Sequence, residues 1–236
     1  MHPTPKTPRN SPIAGVLLTN ADLDHVLGLY LLREGNSVSL HATESVFGVL
    51  ENDLRLIDVL KASCHVEHHV PSADSFRPLL MEKSQSSGLR YRALRLSDRL
   101  PPYASGAPSP GEAQSVAYEI IDERTQGRLL IAPDVASMTP ELLAAMNEAD
   151  AVLFDGTFWS NEELQNMTGK VRTAEDMGHL TIRDGSLGVL AGLKARTKIY
   201  LHINNTNPIL DPQSTERAEV ERAGVVVGHD GLDFEL

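Results

Sequence analysis

The feature that most constrains this chain is an alternation. Short apolar runs suited to buried strands are followed repeatedly by segments with helical spacing of apolar residues. "IAGVLLT" (13–19) leads into "HVLGLYLLREG" (25–35), where Gly35 is a good helix stop, and "SVSLHA" (37–42) leads into "TESVFGVLENDLRLIDVL" (43–60). "SSGLRYRALRL" (86–96) reads as extended, and the proline-rich "LPPYASGAPSPGE" (100–112) as loop. "SVAYEIID" (115–122) and "GRLLIAP" (127–133), joined by the polar "ERTQ", read as an antiparallel hairpin. "TPELLAAMNEAD" (139–150) starts a helix by two signals, Thr139 as N-cap and Pro140 at the first helical position. There follow a strand in "AVLFDG" (151–156), a helix in "SLGVLAGLKA" (186–195), a strand in "KIYLHIN" (198–204) and a helix in "STERAEVERAG" (214–224). "VVVGHDGLDFEL" (225–236) closes the chain as a strand or hairpin. Such a pattern predicts an α/β fold with a mixed sheet covered by helices.

The chain has 236 residues, 41% of them apolar, enough for one sizeable core. We read a flexible lead-in over residues 1–12, with four prolines, and one domain over 13–236. A formal charge of −11 with no basic run argues against a nucleic-acid partner, because phosphate binding needs clustered Lys and Arg. The single cysteine, Cys64, excludes an internal disulfide and any multi-cysteine metal cluster within this sequence. No secretory h-region and no apolar stretch of the ~20 residues that a membrane helix needs is present in this sequence, so the expected setting is cytoplasmic, without a membrane partner.

Polar residues gather where the apolar runs end: Asp22, Asp24 and His25 after the first, Asp134 after "LLIA", Asp155 after "AVLF", and Asn204 and Asn205 after "IYLHI". Ligand sites of α/β folds collect at those strand ends. Two adjacent acids and a histidine exceed what a helix start needs, and two carboxylates held close together call for a cation or other partner. His202 inside an apolar strand, followed by "NNTNP", marks a shaped loop. Two histidines and a carboxylate form the facial triad of non-haem iron oxygenases, and His25, His202 and Asp24 can supply it. The same residue types bind zinc and activate water, so the residues alone leave both metals open. Asp155 and His179 ("DMGHLTI") are the candidate catalytic residues, expected to line the same cavity as Asp22 and Asp134. Asn204 and Asn205 are candidates for holding a cofactor. "HVEHH" (65–69) has metal-ligand spacing but no flanking apolar strand, and is read as nonfunctional; His41 and His229 are read as surface or packing residues.

"TNADLDHVLGLYLLREG", "FDGTFW", "DMGHLTI" and above all "HINNTNPIL" resemble the pyrroloquinoline quinone biosynthesis protein B family, a branch of the metallo-β-lactamase superfamily, from about Ser11 to Leu236. The superfamily's metal loop has the form His-x-His-x-Asp-His. Here it runs from Asn20 to His25, with Asn20 and Asp22 where two histidines are expected. The resemblance implies an αββα sandwich and a metal set of Asp22, Asp24, His25, Asp134 and His202. It further implies a role in making the redox cofactor pyrroloquinoline quinone (PQQ), by hydroxylating the tyrosine ring of a Glu-Tyr-derived precursor with Fe(II) and O2. Transport of PQQ or its precursor to the periplasm, and zinc-dependent hydrolysis, are the alternatives. The family begins with further strands and a cysteine-rich segment. Lacking these first N-terminal strands, the chain is expected to expose a sheet edge, to be less stable than an upstream-extended form, and to self-associate as a homo-oligomer.

Overall fold

The structure is a computed structural model that describes residues 13–34, 37–81, 85–105, 112–169 and 171–236. The expected lead-in over residues 1–12 and the helix stop at Gly35 lie outside the described residues. The chain divides into two compact units, Met1–Val116 and Ala117–Leu236.

In the first unit β1 (Val16–Leu17) precedes α1 (Leu23–Val26) and a 3-10 helix (Leu27–Glu34), so the apolar spacing expected to give one α-helix is met mostly by 3-10 turns. β2 (Ser37–His41) follows, then α2 (Glu44–Asn52), α3 (Leu56–Lys61) and β3 (His65–His69). β1, β2 and β3 form a parallel sheet, with Val16 opposite Leu40 and Ser37 opposite His65. β4 (Arg77–Met81) and β5 (Gln85–Ser97) pair antiparallel.

The expected single helix over 43–60 is broken between Asn52 and Leu56. Asp53 is diverted there: its carboxylate accepts from the Ser105 N–H at 3.0 Å and hydroxyl at 2.6 Å, while Arg55 takes a left-handed φ of 54°. Short polar side chains that bond elsewhere compete with helix hydrogen bonding. Either side of the break, Val46, Leu50, Leu56, Ile57 and Leu60 are buried with Val38 and Leu40. Each such side chain contributes about 1.5–3 kcal/mol of burial.

The reading of "HVEHH" as a polar segment without a flanking strand is corrected by the structure, because it is β3, paired along its whole length with β2. Strand alternation explains the mixed sequence. His68 stacks on Phe47 with ring centroids 3.9 Å apart, and His41 and His69, opposite each other, stack at 4.7 Å. His41, 1% exposed, is a packing residue as expected. Its Nε2–H donates to the Leu80 carbonyl at 2.9 Å, so its Nδ1 accepts the Tyr91 hydroxyl proton at 2.7 Å.

Burial, aided by the neighbouring His69 and His68, pulls His41 from 6.5 down to about 4. The unfolded chain therefore takes up a proton that the folded chain refuses. Stability from this group is complete above pH 6.5 and is lost as pH falls towards 4, by up to about 3 kcal/mol. Urea unfolding at pH 7 and pH 4.5 checks this, with His41→Asn expected to lose much less between the two.

The second unit follows the reading closely. β6 (Ser115–Asp122) and β7 (Arg128–Ala132) form the expected hairpin, with Tyr118 opposite Ile131. Its turn closes on Asp122, which accepts from Arg124 N–H at 2.7 Å, with Gln126 at φ 62°. α4 (Pro140–Glu148) is capped by the Thr139 side chain, which accepts from Leu142 N–H. β8 (Ala151–Asp155) then pairs parallel with β7. α5 (Glu163–Thr168), α6 (Ala174–Met177), a π-helical turn (Ile182–Ser186) and α7 (Leu187–Gly192) lead to β9 (Thr197–Leu201), parallel to β8. α8 (Thr215–Arg222), capped by Ser214, leads to β10 (Val226–Val227), parallel to β9. The closing strand is thus two residues long, with no hairpin among the described residues beyond it. Phe154, Tyr200, Leu130, Leu142 and Met146 are fully buried.

Candidate metal centre

β7, β8 and β9 lie side by side and parallel, so their carboxyl ends open at one edge of the sheet. Asp134 stands two residues beyond β7, Asp155 ends β8, and His202 directly follows β9. His202 adopts φ 55°, a left-handed backbone that a non-glycine residue takes only when its surroundings fix it. Those surroundings are dense: Gly156 N–H donates to Leu201 O at 2.8 Å, Asn204 N–H donates to Thr157 O at 3.1 Å, and the Thr157 hydroxyl lies 2.9 Å from the His202 carbonyl. Gly156 is required here, since a Cβ would come within 2.9 Å of the Tyr200 Cβ.

His179 arrives from a different direction. α6 is a four-residue helix with a capping box, in which Thr173 and Asp176 exchange hydrogen bonds, and it stops at Gly178 with φ 86°. That glycine turns the chain so that Leu180 N–H reaches Val135 O at 2.6 Å and His179 packs edge-on against Phe158. The rings of His179 and His202 then stack with centroids 5.6 Å apart. Asp134, His179 and His202 each bring one potential ligand atom within 4.8 Å of the others, a set of two imidazoles and one carboxylate.

Asp155, wholly buried, orders the pair. Its Oδ2 accepts from Val135 N–H at 2.9 Å and from His179 Nδ1 at 2.8 Å. Its Oδ1 accepts from Thr157 N–H at 3.0 Å and from the Thr157 hydroxyl at 2.6 Å. Having given its one proton to the carboxylate, its shortest and only charged acceptor, the hydroxyl must accept from His202 Nδ1 at 2.8 Å. One carboxylate thus fixes both tautomers: each histidine carries its proton on Nδ1 and its lone pair on Nε2. Histidines that bind metals are oriented in this way, by a carboxylate or hydroxyl on one ring nitrogen, and Asp134 Oδ1 lies 3.5 Å from His202 Nδ1 and 3.8 Å from His179 Nδ1. The residues present therefore fit a divalent transition ion.

The "NNTNP" loop is clamped onto the segment after β8. Asn207 Nδ2 donates to Gly156 O at 2.9 Å and Asn207 Oδ1 accepts from Ile209 N–H at 3.1 Å. Glu163, 5% exposed, accepts from Trp159 N–H at 2.6 Å through Oε2 and from the Thr206 hydroxyl at 2.6 Å through Oε1. Thr206 in turn accepts from Asn204 Nδ2 at 2.7 Å. Asn205 is exposed.

In the first unit Asp22 precedes α1, and Asp24 and His25 lie on it. Asp22 N–H donates to Asn20 Oδ1 at 3.0 Å, the Asp24 carboxylate is 3.7 Å from His25 Nε2, and Thr19 Oγ1 is 3.4 Å from His25 Nδ1. Thr157 stands out in the sequence with Asp155, at the strand end in "FDGTFW". Residues missed from the sequence are Glu163 and Thr206. Glu163 and Thr206 gave none, because a buried acid paired over forty-three positions has no local pattern.

A family model described as the beta-lactamase superfamily domain matches residues 1–203. The coenzyme PQQ synthesis protein B of Cupriavidus necator is 36% identical, aligned over 98% of this chain and 76% of its own length. That of Pseudomonas putida strain W619 is 35% identical, over 97% and 75%. The structure of zinc-bound PqqB from Methylobacterium extorquens superposes with a TM-score of 0.86 at 34% identity, covering all of this chain and 77% of that one. A diphosphatase of the PhnP family, 19% identical with a TM-score of 0.59 over 93% of this chain and 69% of that one, shares the fold. The fold class is the metallo-β-lactamase one, as expected. The chain belongs to the coenzyme PQQ synthesis protein B family within the β-lactamase superfamily.

Proposed function

We propose that this protein works in PQQ biosynthesis as a metal-dependent enzyme that hydroxylates the tyrosine ring of a Glu-Tyr-derived precursor, using Fe(II), O2 and an external two-electron reductant, so that one oxygen atom enters the ring and the other leaves as water. The names of its relatives support the pathway. The observation that carries the chemistry is the donor set: two imidazoles of fixed tautomer and one carboxylate, few and mixed, the ligand type of non-haem iron oxygenases. Asp134, His179 and His202 would hold the ion, and Asp22, Asp24 and His25 are proposed from the sequence as further ligands. When bound, iron(II) supplies the redox chemistry that lets dioxygen react with an aromatic ring.

The chain's own residues do the rest. Asp155 and Thr157 hold the imidazoles so that no reorientation is needed at the moment of reaction. Asn204 and Asn205 offer amides to the precursor. Among the described residues no helix is long and apolar enough to cross a membrane.

A zinc-dependent hydrolase is the second reading, favoured by the zinc in the Methylobacterium extorquens structure. Metal analysis of protein purified without oxygen, followed by oxygen uptake with a tyrosine-derived precursor, separates the two. The proposal expects bound iron and substrate-dependent oxygen consumption. Zinc alone, with turnover that consumes no oxygen, would establish the hydrolase.

A further inference from the structure

The hydrogen bonds between Glu163, Thr206 and Asn204 have a direction that the distances determine. A carboxylate can only accept, so the Thr206 hydroxyl donates its single proton to Glu163 Oε1 at 2.6 Å. Thr206 Oγ1 is then an acceptor towards Asn204, and the Asn204 amide must turn its NH2 to it, at 2.7 Å. The amide orientation is fixed by this chain of partners rather than by shape alone. The carbonyl Oδ1 of Asn204 is consequently the end of the amide that the relay does not engage. Asn204 stands two residues beyond His202, and its backbone is tied to Thr157 O at 3.1 Å. Glu163 itself is held by Trp159 N–H at 2.6 Å, so the relay is anchored at its far end.

We propose that Asn204 Oδ1 is a specificity determinant that accepts a hydrogen bond from an N–H group of the substrate, such as the ammonium of an amino acid, and that Glu163 is the positioning residue that sets this polarity. The inference rests on the proposed amino-acid-derived precursor as substrate. Burial holds the Glu163 carboxyl above its usual range, and the donated bonds from Thr206, Trp159 and Ser160 offset part of that rise. These bonds are what an acceptor-only role requires.

Glu163→Gln tests the direction, because a glutamine amide can donate to Thr206 Oγ1. The Thr206 proton would then turn to Asn204, whose amide would flip to present its NH2. The probes are L-tyrosine and its analogue lacking the ammonium, 3-(4-hydroxyphenyl)propionate, titrated against the zinc-loaded full chain by calorimetry. Wild type is expected to prefer tyrosine by about tenfold, the worth of one hydrogen bond to a charged group. Glu163→Gln should abolish or reverse the preference while bound zinc stays at the wild-type level. Should Glu163→Gln fail to fold, Thr206→Val and Thr206→Ser carry the same test: valine breaks the relay and loses the preference, and serine keeps both. Equal binding of the probes by wild type, or a preference that survives both Glu163→Gln and Thr206→Val, overturns the inference and leaves the proposed function standing. Binding of neither probe by zinc-loaded wild type overturns the substrate class itself, and the inference with it.

Discussion

Replacing Asp155 by alanine is expected to remove roughly 3–5 kcal/mol of stability and, in whatever protein folds, to weaken metal binding by about 10–100-fold. The carboxylate accepts from Val135 N–H, Thr157 N–H, the Thr157 hydroxyl and His179 Nδ1 at 2.6–3.0 Å, in a site with no solvent exposure. Alanine takes the acceptor from the buried Val135 and Thr157 N–H groups, and each uncompensated group costs about 1–3 kcal/mol. It also releases the constraint that keeps both ring protons on Nδ1. Asp155→Asn separates the two effects, since it keeps the volume but turns an NH2 towards two donors. Denaturant unfolding and a competitive zinc titration measure stability and affinity side by side. Wild-type values for both in the alanine variant would remove Asp155 from the account.

The second large effect is expected at the ligands. Single substitutions His179→Ala and His202→Ala should each abolish metal retention through gel filtration, whereas His68→Ala and His229→Ala, outside the centre, should keep it. Stability should change less in His202→Ala than in Asp155→Ala, because His202 is part-exposed and directly follows β9. Each substitution removes one of the two imidazoles of the Asp134, His179 and His202 set. Inductively coupled plasma analysis of the four variants gives the answer.

How much of this was legible in the sequence varies by segment, for physical reasons. The second unit was readable because its signals are local: Thr139-Pro140 capped α4, the polar "ERTQ" closed the β6–β7 hairpin, and apolar runs bounded by polar residues gave β8 and β9. The first unit was less so. Asp53 broke a well-patterned helix by reaching Ser105, fifty-two positions away, and β3 gained its place from pairing with β2 instead of from its own composition. At the site, Asp134, Asp155, His179 and His202 are candidates in the sequence by position after a strand or in a glycine turn, and the structure brings their side chains together. Their division of labour was not. Whether His179 serves as catalyst or ligand depends on a carboxylate twenty-four residues away and on which nitrogen it grips. Spacing does not encode that.

The central claim is that Asp134, His179 and His202 hold one divalent ion through the ring nitrogens that Asp155 and Thr157 leave unprotonated. An anomalous-difference map from crystals of the metal-loaded protein, collected at the absorption edge of the bound metal, tests it most directly. A single peak is expected at about 2.0–2.2 Å from a carboxylate oxygen of Asp134 and from Nε2 of both His179 and His202. A peak that lies away from these three residues, or one bound through Nδ1 of either histidine, would contradict it.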